Sequence, residues 1–178
     1  MNNFRELDKT ALAEISFRSS KVRPDISEVS NYINRLKDDL FSDKWSEAIK
    51  KHIKSSLVLY IRVMQKQLAP NGAHYRASDI SKQHLEHVIP QNKIINAYLH
   101  DHISAEIVLQ MPLCMIDDSH KHILEGDWQT AATWEFPFKR YKLAGYNNTI
   151  KDARGNIVDF EKYTIEDHFN MIGVKLDN

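Results

Sequence analysis

From residue 1 to residue 72 the apolar positions repeat with a helical period. Phe4, Leu7, Ala11 and Ile15 recur at three- and four-residue steps and predict a first helix that ends near Ser19-Ser20. After Arg23-Pro24, Asp25 stands three residues ahead of Glu28 in the spacing of a capping box. Val29, Tyr32, Ile33, Leu36 and Leu40 then form the stripe of a second helix, broken at Phe41-Ser42-Asp43. A third and longer helix is expected from Lys44 to Leu68. Trp45, Ile49, Ile53, Leu57, Tyr60, Ile61, Met64 and Leu68 lie on one side of it, and Ala69-Pro70-Asn71-Gly72 closes it.

The pattern changes after Gly72. Leu85, Val88 and Ile89 with Pro90 behind them predict a short strand, and Asn92 to Leu99 a helical turn or two. The run from Ile107 to Ile116 is apolar and bounded by Asp117-Asp118-Ser119, which predicts a buried strand or hairpin leading into a short helix. Asp152-Ala153-Arg154-Gly155-Asn156 reads as a turn. Thr164, with Asp167 three residues on, caps a last helix that ends near Gly173. The expected architecture is α+β: residues 1–72 as a helical N-terminal layer and residues 73–178 as the chemistry-bearing region, together one compact unit.

Composition narrows the function. The chain has 178 residues, enough for a real core, and 24 Lys plus Arg balance 24 Asp plus Glu. Any contact with nucleic acid must therefore come from a local patch. Lys50, Lys51, Lys54, Arg62 and Lys66 of the third helix could touch phosphates, although polar faces of surface helices carry such charges routinely. The single cysteine, Cys114, excludes a disulfide framework and a Cys-rich zinc ribbon, so a reducing, cytoplasmic setting is expected. In its apolar run Cys114 reads as a small core residue. There is no apolar leader and no uninterrupted run of about 18 apolar residues, so neither export nor membrane insertion is expected. No phosphate-cradling glycine motif occurs among the five glycines.

Two short clusters bring metal-capable side chains together and hold four of the nine histidines. Gln83-His84-Leu85-Glu86-His87-Val88-Ile89-Pro90 comes first, and Asp117-Asp118-Ser119-His120-Lys121-His122 follows. His120 and His122 lie 33 and 35 residues beyond His87. Divalent cations need carboxylate oxygens and imidazole nitrogens that converge at about 2.0–2.6 Å. Hydrolysis also needs a neutral imidazole to take a proton from water. On an extended chain Glu86 and His87 point to opposite faces, so they converge only if the backbone turns there. Farther on, Trp128, Trp134, Phe136, Phe138 and Tyr141 are interleaved with Lys139, Arg140 and Lys142. This segment could grip phosphates and stack bases, or it could form an apolar lid over the core.

Leu85-Glu86-His87-Val88-Ile89-Pro90 resembles the D/E-H-x-x-P segment that opens the motif of HNH (His-Me finger, ββα-metal) endonucleases. Met111-Pro112-Leu113-Cys114, followed by His120-Lys121 and Gly126-Asp127-Trp128, is similar to that family's closing segment. Leu109 and Gln110 stand where the family often carries an asparagine. The likeness covers roughly residues 80–128.

The resemblance implies a β-hairpin and helix cradling one divalent ion, Mg²⁺ foremost and Mn²⁺ or Zn²⁺ otherwise. Glu86 and His120 would be metal ligands and His87 the general base. His122, Asp117 or Asp118 could replace His120 as ligand, and His84 is a further candidate. Lys139, Arg140 and Lys142 would meet the substrate. The expected function is metal-dependent hydrolysis of DNA, more than RNA, in a phage, mobile-element or bacterial defence setting, and a homodimer would cut both strands. Two other readings are a non-enzymatic helical interaction protein and a metal-independent ribonuclease using paired histidines.

Overall fold

The computed structural model describes residues 24–124 and 133–175. The helix expected over Phe4–Ile15 and the Gly126-Asp127-Trp128 segment lie outside the described residues. Asp25 starts helix α1 (Ile26–Phe41) by accepting hydrogen bonds from the backbone N–H groups of Ser27, at 2.7 Å, and Glu28, at 3.2 Å. A cap of this kind stabilises a helix by about 1 kcal/mol. Helix α2 (Glu47–Leu68) begins after Ser46 rather than at Lys44, so Trp45 falls outside the helix and is 40% exposed. Val29 and Ile33 of α1 pack with Leu57, Ile61, Met64 and Leu68 of α2, as the apolar stripes require.

Four strands follow: β1 (Tyr75–Ala77), β2 (Gln83–His87), β3 (Leu113–Asp117) and β4 (Ile150–Asp152). Their order in the sheet is β2-β3-β1-β4. β2 pairs antiparallel with β3 from Gln83↔Asp117 to His87↔Leu113, β1 runs parallel to β3, and β4 is antiparallel to β1. Between β2 and β3 the chain leaves the sheet through helices α3 (Gln91–Leu99) and α4 (Ala105–Leu109). The apolar run expected to be extended from Ile107 is therefore divided. Ser104 caps α4 through its hydroxyl, which accepts from the Ile107 N–H at 3.3 Å, and the chain is extended only from Leu113. All five residues of β3 are buried, because the strand lies between two others and is covered on both faces. A 3₁₀ segment (Asp118–Leu124) follows β3, and helices α5 (Lys139–Leu143) and α6 (Ile165–Ile172) complete the fold. Thr164 and Asp167 form the reciprocal capping box that their spacing indicates.

The sheet separates two main apolar cores, and a smaller cluster of Ala69, Ala73, Leu113 and Met115 joins the end of α2 to β3. One joins α1 and α2 to Ile94, Ile95, Tyr98, Val108, Leu109 and Phe169. The other, on the opposite side, holds Tyr75, Cys114, Ile116, Phe138, Tyr141, Tyr146 and Ile150. The protein is thus α+β, with helices on one side of a small mixed sheet and an aromatic layer on the other. No helix among the described residues is long and apolar enough to cross a membrane.

Candidate functional site

Strand β2 is an edge strand and carries both residues on which the resemblance rests. Its pairing stays regular through His87, so side chains alternate: His84 and Glu86 face the aromatic layer, Leu85 and His87 the helical layer. The backbone turn that would bring Glu86 and His87 together is absent, because Pro90 turns the chain only after the strand has ended. The structure therefore brings Glu86 near His84, and not near His87.

His87 is 8% exposed. Its Nε2 lies 3.0 Å from the Gln65 side-chain oxygen, while Gln65 Nε2 donates to the Val108 carbonyl at 2.8 Å. Gln65 thus presents its oxygen to His87, which must carry its proton on Nε2. Burial first, then the charges of Arg62 and Arg140, lower the His87 pKa to about 4. His87 is a neutral core imidazole that ties the sheet to α2 and α4. The general-base role expected of it places the base on the face away from Glu86.

Glu86 accepts from the guanidinium of Arg140, which is 1% exposed. Arg140 also donates to the His87 carbonyl and, at 3.2 Å, to the Leu124 carbonyl. Arg140, expected to meet substrate, is instead a buried anchor that fastens α5 to the end of β2. Lys139 and Lys142 remain exposed on α5, and Lys142 lies 3.9 Å from Glu161. Phe138, Tyr141 and Tyr146 are core residues, so the packing role of this aromatic segment prevails at these positions. Cys114, opposite Glu86 on β3, is fully buried and its thiol pKa is pushed up by that burial.

Asp117 and Asp118 diverge in role. Asp117 takes hydrogen bonds from the backbone and hydroxyl of Ser81, at 2.6 and 2.7 Å, and from the backbone of Lys82 at 3.0 Å. It takes two more from the backbone and hydroxyl of Ser119, at 3.0 and 2.6 Å. These five donors, Ser119 foremost, hold the carboxyl well below the usual carboxylate range. Asp117 braces the β1–β2 loop against the end of β3, leaving little lone-pair capacity for a metal. Asp118 is salt-bridged to Lys82 at 2.9 Å and Lys121 at 3.0 Å, and both contacts lower its pKa.

His84 stands between the two carboxylates. Its Nε2 is 3.5 Å from Glu86 and its Nδ1 is 3.7 Å from Asp118, and its side chain is 31% exposed. His120 sits edge-on to Tyr146, with ring centroids 5.3 Å apart, and its Nδ1 is buried without a hydrogen-bond partner among the described residues. His122 is exposed on the same 3₁₀ segment.

A divalent-ion site does not assemble from these groups. Among the described residues no three His, Cys, Asp or Glu side chains converge to hold a metal. Glu86 and Asp118 are already matched by Arg140, Lys82 and Lys121, and that cationic surplus disfavours a second cation.

Two features of the site region went unread in the sequence. Gln65 is a polar residue one turn after Ile61 on an apolar stripe, the pattern of a buried hydrogen-bonding partner. His168 lies on the buried face of α6 and donates from Nε2 to the Gln110 carbonyl at 2.7 Å. Its Nδ1 accepts from the Tyr75 hydroxyl at 2.7 Å, which in turn accepts from Tyr163 at 3.0 Å. Desolvation lowers the His168 pKa to about 4. Comparison with protein-family models, curated proteins and solved structures finds no match.

Proposed function

We propose that the protein is a phosphodiester-cleaving endonuclease of HNH type whose chemistry lies on the outer face of β2 and the 3₁₀ segment. The supporting observation is His84, partly exposed and placed between Glu86 and Asp118. A half-exposed imidazole flanked by carboxylates is suited to proton transfer. His84 takes a proton from water as the water oxygen adds to phosphorus and the bond from phosphorus to the leaving oxygen breaks. The carboxylates stabilise the imidazolium that results. Lys82 and Lys121 place positive charge beside the incoming phosphate. In this reading His122, exposed on the 3₁₀ segment, protonates the leaving oxygen.

DNA is the proposed substrate, ahead of RNA. The residues described do not fit the divalent ion that the HNH likeness implies, and no step here is routed through it. The test is nicking of supercoiled plasmid by purified protein with Mg²⁺, Mn²⁺, Zn²⁺ or EDTA. Cleavage lost in His84→Ala supports the reading, and undiminished cleavage by that variant overturns it. Activity that persists in EDTA selects the metal-independent form.

A second reading, a non-enzymatic interaction protein, is favoured by the structural use of Glu86 and His87, each held in a buried contact. A folded protein that cuts neither DNA nor RNA under any of these conditions selects it.

A further inference from the structure

Helix α2 carries its charges unevenly. From Ala48 to Leu68 it contains Lys50, Lys51, Lys54, Arg62 and Lys66 and no Asp or Glu, in a chain whose total charge is zero. Surface helices usually intersperse acids three or four residues from such cations. Here Lys51, Lys54, Val58 and Arg62, with Gln91 of α3, line an open groove of about 500 Å³. Lys51 and Lys54 also border a second groove of about 510 Å³, where Lys50 faces Asn96 and His100 of α3. The two hollows therefore form one channel. Glu47, at its end, is the acid among its lining residues and lies 3.4 Å from Lys50. Among the described residues no carboxylate is within ion-pairing distance of Lys51, Lys54 or Arg62.

Geometry gives the channel a direction and a length. Lys51 and Arg62 are eleven residues apart on one helical face, which spans about 16 Å at about 1.5 Å per residue. That length matches about five phosphates of one duplex strand at about 3.4 Å each. At the Arg62 end the channel meets the C-terminal end of β2: Arg62 acts electrostatically on His87, and Gln91 opens the helix that follows the strand. A backbone lying in the channel reaches the end of edge strand β2 on the helical side of the sheet, the face of His87 and not that of Glu86 and His84. A membrane surface fits less well, because Leu57, Ile61, Met64 and Leu68 of α2 are buried in the core and the exposed apolar side chains bordering the grooves, Leu59 at 47% and Phe41 at 60%, are outnumbered there by cations.

We propose that this channel between α2 and α3 seats the phosphate backbone of a nucleic acid on the helical side of the sheet. The inference rests on the nucleic-acid part of the function proposed above, not on its chemistry. The test is fluorescence anisotropy of a labelled DNA duplex and its single strand across a salt series. The intact protein is compared with Lys51→Gln/Lys54→Gln/Arg62→Gln and with Lys139→Gln/Lys142→Gln, all at exposed positions whose folding is checked by circular dichroism. The triple variant is expected to bind at least tenfold more weakly, and its slope of log K against log salt to flatten by about 2 to 3. The α5 variant removes the two lysines that the HNH likeness would set against substrate, and binding within about twofold of the parent there assigns the backbone contact to the channel and not to α5.

Unchanged affinity and slope in the triple variant overturn the inference, as does loss of binding in the α5 variant alone. A folded parent that binds anionic phosphatidylserine vesicles but no nucleic acid also overturns it. Channel-dependent binding without cleavage supports the inference and sinks the proposed chemistry. Cleavage and binding both indifferent to the triple variant do the reverse.

Discussion

His87 donates from Nε2 to the Gln65 side chain at 3.0 Å, across the boundary between the sheet and the helical layer. Gln65 relays the contact to the Val108 carbonyl. Three elements distant in sequence thus meet through one imidazole. His87→Ala is expected to destabilise the protein by about 2–4 kcal/mol, from the cavity and the stranded Gln65 oxygen. Urea denaturation measures this, and a midpoint equal to the parent's contradicts the structural role.

The same burial sets a pH dependence. His87 and His168 have folded-state pKa values of about 4, below the ordinary histidine value of about 6.5. The unfolded chain therefore binds more protons between those limits, and stability rises with pH in that window. The contribution is complete above about pH 6.5 and is lost as pH falls toward 4, on the order of 3 kcal/mol for each histidine. Thermal unfolding from pH 7 to pH 4.5 is expected to show an uptake approaching two protons. With His168→Gln the uptake should fall toward one. An unfolding temperature flat over that range would show that the two imidazoles are not held neutral.

Arg140, which is buried, and Glu86, whose side chain is 20% exposed, form a pair whose members fail differently alone and together. Removing either partner strands a charge, at a cost of about 3–5 kcal/mol for Arg140→Ala or Glu86→Ala. Arg140→Met with Glu86→Leu replaces both charges with apolar groups and is expected to recover more than half of either loss. A double-mutant cycle by chemical denaturation reads this directly. Additive losses would mean that the two side chains do not depend on each other.

Much of the helical layer was legible because its signals are periodic and locally capped. Asp25, the Val29-to-Leu40 stripe, the Pro70-to-Gly72 stop and the Thr164–Asp167 box each act within one or two turns of the chain. The run around Ile107–Leu109 was misread as extended because a short apolar run has no period, and the Ser104 cap decided it. Strands β1 and β4 have three residues each and give too little alternation to detect.

The two clusters marked in the sequence, on β2 and on the 3₁₀ segment after β3, lie side by side in the fold. The sequence could not show which face of β2 each residue takes, since that depends on whether the backbone turns after Glu86. Nor could it show that Arg140, 54 residues from Glu86, would be its buried partner. Lys139, Arg140 and Lys142 look alike in sequence, and only the α5 packing separates the anchor from the two exposed lysines.

We propose chemistry on the His84 face, with His87 serving the fold. The most direct test is plasmid cleavage by His84→Ala and His87→Gln side by side, each checked for folding, with the metal conditions that support the parent. His84→Ala is expected to melt like the parent and to lose at least a hundredfold in rate, consistent with loss of a proton-transfer group. His87→Gln should melt lower yet keep cleavage within about tenfold while folded. The reverse pattern, with cleavage intact in His84→Ala and abolished in a folded His87→Gln, would contradict it.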